Sequence, residues 1–438
     1  MLGQNVAGFA RPPGGGGSGG MGPSLDLNFL TGILDNRLTF TRTGASNTAT
    51  RFDSTGTLQP TNTNTPRFDY GSSGGTTPLG LLIEETRTNS IRNPRAEGAS
   101  AGTPGTTPTN WQTSATNGVA QQVVGTGTEN GIPYIDLRVF GTTTGTGTIY
   151  FVRPEPVGGV AASPAQIWVF SSFVKLAAGS LANISSITLN ILALDSGNTQ
   201  IGGSLGQTNI TPTNASLASQ RTASGASTMP ALTASVLPQL LISASTGLAI
   251  DATLRIGIPQ LELGSFATYP IMPVAGTPAA ATRGAEVVSG SVSSWYNFTA
   301  GSYICELMTY TIADPTNQPC VEVNDGTTNN RTNNYIQQPR HGAMAGTVAT
   351  VAIASTTANS LNANVPFRIG GSYSGSGTVA AMSGSVQSKT VGAANPSGLT
   401  TIRIGTNAAG SAYLDGWIRR VRYYPRELSA AELIALTT

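Results

Sequence analysis

Lysine is almost missing from this chain. Only Lys175 and Lys389 occur in 438 residues, so nearly all of the 23 positive charges are arginine. Charge of either sign is scarce: Asp, Glu, Lys and Arg make up 10% of the residues, against about 25% in an average globular protein. The net charge of +2 excludes electrostatic capture of nucleic acid as the chain's business. A single histidine, His341, and two cysteines, Cys305 and Cys320, cannot assemble a structural zinc site. Two cysteines also make no disulfide framework. They are expected to be free, buried thiols, the alternative being a facing pair across a hairpin. Apolar runs are short. "VLPQLLI" (Val236 to Ile242) is typical, far below the ~20 residues of a membrane-spanning helix, so no membrane insertion is expected. The first twenty residues lack the basic start and apolar stretch of a secretory signal. The chain is therefore expected to be made in the cytosol, or to leave by another route.

Thr, Ser, Asn and Gly, with 54 glycines, take the place of surface charge. These residues form helices poorly and favour strands and turns. The length suggests about three domains at roughly 150 residues each. Residues 1–23, with "RPPGGGGSGG", read as a Gly/Pro-rich arm. Residues 24–97 carry short strands such as "LDLNFL" and "RLTFTRTG", and "RFDY" and "LGLLIEE" flank a Gly/Ser/Thr loop as a hairpin would. Residues 98–275 hold longer strand runs, including "YIDLRVF", "IWVFSSFVKL" and "LRIGIPQLEL". Residues 276–438 open on an Ala/Pro-rich linker, resume strands at "GSYICELMTYTI" and end in "SAAELIALTT". There Ser429 and Glu432 form a capping box, which predicts one short C-terminal helix. The expected fold is all-β: tandem antiparallel sandwiches after a small N-terminal β module. The module is read as a separate unit, the alternative being that it lends strands to a sandwich, because 74 residues with so little apolar content make a marginal core.

One stretch gathers charge. Pro66 to Glu97 holds eight charged residues in 32: Arg67, Asp69, Glu84, Glu85, Arg87, Arg92, Arg95 and Glu97. Glu84 and Glu85 are adjacent, so on a strand they face opposite sides and cannot line one cleft. Arginines accompany the acids, and an acid beside arginine is held ionised, unlike a proton donor. The pattern points to a clasp of Arg–carboxylate pairs, with Arg67, Asp69, Glu85 and Arg87 expected within reach of ionic partners.

Other chemistry is thin. His341 has no Gly-x-Ser-x-Gly elbow to serve. Glu306 with Glu322, or Asp69 with Glu84 or Glu85, are the pairs that sugar hydrolysis would use. Sugar binding needs aromatic platforms. Trp168 and Trp417 lie in apolar strand runs and read as core, whereas Trp111, and Trp295 with Tyr296, are the candidate ligand-binding residues. "VEVNDGTTNNRTNN" offers Asn324, Asp325, Asn329 and Asn330 to calcium, but an Asn-Asp-Gly hairpin turn accounts for it. No metal site and no cofactor are expected. The "RRVRYYPRE" run places Arg420 and Arg422 on one strand face and Val421 and Tyr423 on the other, a solvated or interface face rather than a nucleic-acid patch.

"LTFTRTGASNTATRFDSTGTLQP" followed by "PRFDY" and "GLLIEETRTNSIRNP" resembles the N-terminal module of many tailed-bacteriophage structural proteins. "IWVFSSFVKLAAG" and "IPQLELGSFATYPI" resemble the carbohydrate-binding-like jelly rolls that follow it in phage fibre and head-spike proteins, and "TRGAE" resembles that domain's exit. "LDGWIRRVRYYPRELSAAEL" is similar to the close of laminin-G-like, concanavalin-type sandwiches. The resemblance implies a non-enzymatic virion component, a fibre, spike or decoration protein made in the bacterial cytoplasm. It implies a homo-oligomer, often a trimer in fibres. Residues 1–97 would attach to other virion proteins, and the sandwiches would touch host-surface glycans. The alternatives are a capsular polysaccharide depolymerase spike and a secreted lectin outside any virion.

Overall fold

The computed structural model describes residues 22–311, 316–337, 341–357, 361–392 and 395–438. The arm expected over residues 1–23 falls almost wholly outside them. Within them the regular structure is nearly all antiparallel strand, with two single-turn 3-10 segments and one α-helix, Ala430–Thr437. Ser429 caps that helix: its hydroxyl accepts from the Glu432 N–H while the Glu432 carboxylate accepts from the Ser429 N–H.

Two sandwiches are present, and the first interrupts the second. Residues 112–263 form the inserted one, from two six-stranded sheets. Its pairing is nested in the manner of a jelly roll. Ile132–Thr142 pairs with the late strand Ala249–Leu263, and Gly147–Arg153 pairs with Ser235–Ala244. Alternating side chains such as Ile135, Leu137 and Val139 point into a core shared with Leu189, Ile191, Leu240 and Leu254.

The second sandwich, concanavalin-like, pairs a nine-stranded sheet with an eight-stranded one. Both sheets are built from two distant parts of the chain. Leu25–Asn28 and Gly80–Ile83 both pair with Gly416–Tyr424. In the other sheet, Leu38–Gly44 and Arg87–Asn89 both pair with Ala281–Ser291. The separate module expected over residues 24–97 is therefore corrected: these residues complete the C-terminal sandwich. The reason is apolar supply. Leu25, Leu27, Phe29, Leu38, Phe40, Leu81 and Ile83 have no core of their own and share one with Val288, Leu307, Val321, Ile402 and Val421. The hairpin of Ala49–Phe52 and Leu58–Thr61 goes the other way. Its Phe52 and Leu58 pack on Ile132, Phe173 and Ile258 of the inserted sandwich. The N-terminal segment thus touches both bodies. Both cysteines are free and buried.

Candidate functional site

The charged stretch from Pro66 to Glu97 lies at the junction of the two sandwiches. Arg67 is completely buried there. It donates from Nε and Nη2 to the two oxygens of Glu286 at 2.5 and 2.6 Å, from Nη2 to Glu84 at 2.5 Å, and from Nη1 to the Thr50 carbonyl at 3.0 Å. Arg42, the cross-strand partner of Glu286, reaches it at 2.9 Å. Arg283 lies 3.0 Å from Glu84. It also donates to the Glu85 carbonyl and to the Thr268 hydroxyl, which in turn donates to Glu262 on the last strand of the jelly roll. A continuous chain of charge-assisted bonds therefore runs from one sandwich to the other. Burial pushes the Glu84 carboxyl up, but Arg283, Arg67, the Tyr310 hydroxyl and the Tyr269 N–H outweigh it and hold the pKa at about 2.

The other residues of the expected clasp divide. Glu85 is a third exposed and accepts from Arg87 at 2.6 Å. Arg87 lies over the Phe266 ring at 4.6 Å. It fits because residue 264 is glycine: a Cβ there would sit 1.7 Å from the Arg87 Nη1, and its φ of +141° suits no other residue. Asp69 forms no ion pair among the described residues. Its carboxylate instead accepts from the Phe52 N–H at 2.7 Å, the Gly71 N–H at 3.2 Å, the Tyr269 hydroxyl at 2.6 Å and the Trp417 indole N–H at 3.1 Å. Burial moves its pKa upward against those bonds.

In front of the two acids opens a cleft of about 550 Å³ between the sandwiches. Trp417, Tyr310 and Met308 form one wall, Phe173 and Arg221 the other, with Tyr269 between them. Tyr269 and Tyr310 meet Trp417 edge-on at 5.9 and 5.7 Å between ring centres. Each phenol is tethered to an acid, Tyr269 to Asp69 and Tyr310 to Glu84 at 2.5 Å. Burial first, and then those carboxylates, drive both phenol pKa values up. Arg221 donates to the Thr268 carbonyl at 2.7 Å and the Ser171 hydroxyl at 3.0 Å, and its Nε has no partner. The acids, saturated with donors, form the back of the site, and rings, hydroxyls and a guanidinium form its front. Tyr269 and Tyr310 are only partly buried, so this surface holds the kinds of group that stacking on and hydrogen-bonding a polar ring require.

The aromatic residues that the sequence offered as ligand platforms lie elsewhere, packed in the two cores. Trp111 is buried in the jelly roll, its indole N–H donating to the Asn93 carbonyl at 2.9 Å. Trp295 and Tyr296 are buried in the second core beside Tyr423, and Tyr296 shares a hydrogen bond with Thr332. In a chain with 6% aromatics, large rings go first to filling cores. Trp417, read as core, is buried as expected, yet it also lines the cleft. Sequence reasoning missed Tyr269, Tyr310, Arg221, Arg283 and Glu286. For Arg221, Arg283 and Glu286 the available signal was a charged residue set in a strand of an otherwise charge-poor chain, and the two tyrosines carried none.

Glu306 and Glu322 do not form a pair. Their sequence neighbours Cys305 and Leu307, and Val321 and Val323, point into the core, so the two acids project from opposite outer faces of one sandwich. Stacked sheets are ~10 Å apart, so these carboxylates exceed the ~5–9.5 Å across which two acids flank a glycosidic bond. Each is ion-paired, Glu306 with Arg368 and Arg419, Glu322 with Arg331. Asp325 accepts from Thr327 in the loop between Gln318–Asn324 and Arg331–Gln337. His341 opens a strand of the eight-stranded sheet.

No protein-family model matches the chain, and no curated protein matches it. Solved structures give partial likenesses. The CBM40 of a Ruminococcus gnavus IT-sialidase, bound to α2,3-sialyllactose, is 16% identical over 32% of this chain and 84% of its own, with a TM-score of 0.27. The tandem CBM22 domains of a Paenibacillus barcinonensis protein are 12% identical over 75% of this chain and 97% of their own, with a TM-score of 0.24. Domains LG4-5 of the mouse laminin α1 chain are 12% identical over 65% and 89%, with a TM-score of 0.23. At these scores the likenesses carry no function across. The sandwich architecture stands on the strand pairing itself.

Proposed function

We propose that this chain is a non-catalytic adhesion protein that binds glycans in the cleft between its two sandwiches. The observation that carries this reading is the composition of the cleft. Aromatic rings and Arg221 line the space, while Asp69 and Glu84 are hydrogen-bonded to the phenols with their lone pairs filled. An acid held near pKa 2 by two arginines donates no proton to a leaving group at neutral pH. The sequence resemblance supplies the setting: a fibre, spike or decoration protein of a tailed-phage virion, oligomeric and attached through its N-terminal residues.

Glycan-array screening of the full chain tests the binding. Arg221→Ala removes a donor from the cleft and Ala223→Trp fills it. Both are expected to weaken any hit at least tenfold with the fold intact by circular dichroism. Hits that survive both variants unchanged would place the ligand elsewhere and overturn the reading. Removal of residues 1–23 is expected to abolish incorporation into particles, and incorporation at the normal level would reject the attachment role.

A further inference from the structure

A second cavity lies on the outer face of the eight-stranded sheet, away from the junction. Cross-strand register builds it. Glu322 stands opposite Asn333, Asn333 opposite Ala345, and Ala345 opposite Ala354, so these four form one row across four strands. Arg331 and Tyr335 flank Asn333 two residues either side, on the same face. Together these residues line a groove of about 280 Å³. Alanine at 345 and 354 keeps the space beside Tyr335 open where a larger residue would close it.

The polar groups of the groove are incompletely used. Asn333 is 7% exposed, and its Oδ1 has no hydrogen-bond partner. The Nε of Arg331 is likewise unpartnered. A buried polar atom without a partner is destabilising, and a ligand hydroxyl can satisfy this one once the carboxamide turns about its soft terminal torsion. Glu322, by contrast, is occupied. It accepts from Arg331 at 2.7 Å, from the Asn324 amide at 3.0 Å and from the Ala408 N–H at 2.8 Å. Within the lining its charge is matched by Arg331, while Arg403, opposite Glu322 on the next strand, lies outside the lining, so the lining itself favours an uncharged guest. The size suits a single ring, being just under the ~300–1,000 Å³ of larger ligand sites.

We propose that this groove is a second glycan subsite, which takes one neutral, hydroxyl-bearing sugar ring against Tyr335, with Asn333 and Arg331 as its hydrogen-bonding groups. The proposal extends the adhesive reading to a second place on the molecule and does not require the cleft to bind. The test uses the full chain and saturation-transfer NMR with glucose, galactose, rhamnose, N-acetylglucosamine and glucuronic acid. At least one neutral sugar is expected to bind. Ala354→Trp, on the exposed edge strand, should weaken that signal at least tenfold, as should the independent variant Ala352→Gln. Ala223→Trp in the junction cleft should leave it unchanged. The proposal is overturned if no neutral sugar binds, if glucuronic acid binds more tightly than all of them, or if both groove variants bind like the parent. A signal lost in Ala223→Trp but kept in Ala354→Trp would assign the sugar to the cleft and also overturn it. Loss in the two groove variants alone would support the groove whatever the fate of the cleft.

Discussion

Arg67 is the residue on which the junction depends. Two glutamates and one backbone carbonyl all accept hydrogen bonds from it, and all of these residues are buried. Removing one partner from a buried ionic group leaves the others charged and unmatched, which costs about 3–5 kcal/mol. Arg67→Met is expected to lower the unfolding free energy by that amount, read from urea midpoints at pH 7. Glu84 adds a pH dependence. Its folded pKa of about 2 lies below the ordinary 4.5. Its contribution is therefore complete above pH 4.5 and is lost as the pH falls through 2. Asp69 works in the opposite sense, since its raised pKa lets the folded state take up a proton first. Glu84→Gln should flatten the fall in stability between pH 4.5 and 2 while costing stability at pH 7, and urea melts across that range will show it. A variant that keeps the parent's acid slope would dissociate Glu84 from it.

At the scale of elements, the second sandwich is completed by strands that come before the insertion. The strand Leu25–Asn28 buries Leu25 and Leu27 and pairs residue by residue with Gly416–Tyr424. Each buried leucine contributes about 1.5–3 kcal/mol. Deletion of residues 22–28 is expected to cost about 3–6 kcal/mol on that basis, measured by calorimetry. Residues 276–438 produced alone lack seven core side chains and should give no dispersed NMR spectrum. Residues 90–275, which hold nearly all of the jelly-roll core, should give one. A folded 276–438 fragment would refute the shared core. This dependence was only half legible in advance. The short alternating strands of residues 24–97 were visible, and so was the shortage of apolar residues that makes them a poor domain. Which distant strand each would join was not, because antiparallel register is set by partners that pattern alone does not name.

For the whole molecule, direct contacts at the junction tie the two sandwiches together. The 49–61 hairpin packs on the jelly roll, and the Asn89 side chain donates from Nδ2 to the Pro259 and Ile271 carbonyls while its Oδ1 accepts from the Leu261 and Ile91 N–H groups. Differential scanning calorimetry of the full chain is expected to give a single transition, and Arg67→Met to split it into two. Two transitions in the parent would show that the bodies are uncoupled.

Composition by itself determined the class of this protein: a chain poor in Lys, Glu and long apolar runs, and rich in Thr, Ser, Asn and Gly, has little route to a stable fold other than antiparallel sheet. Local pattern determined the strands, the capped helix and the gathering of charge between Pro66 and Glu97. Tertiary structure decided the rest. It joined Arg67 to Glu286, 219 positions away, because burial of an arginine demands an acid and the fold brings that one near. It also turned Trp111, Trp295 and Tyr296 inward and set Tyr269, Tyr310 and Trp417 around a cleft. The face a ring presents depends on what packs against it, which is a property of the assembled sheets and not of the ring's neighbours in the chain.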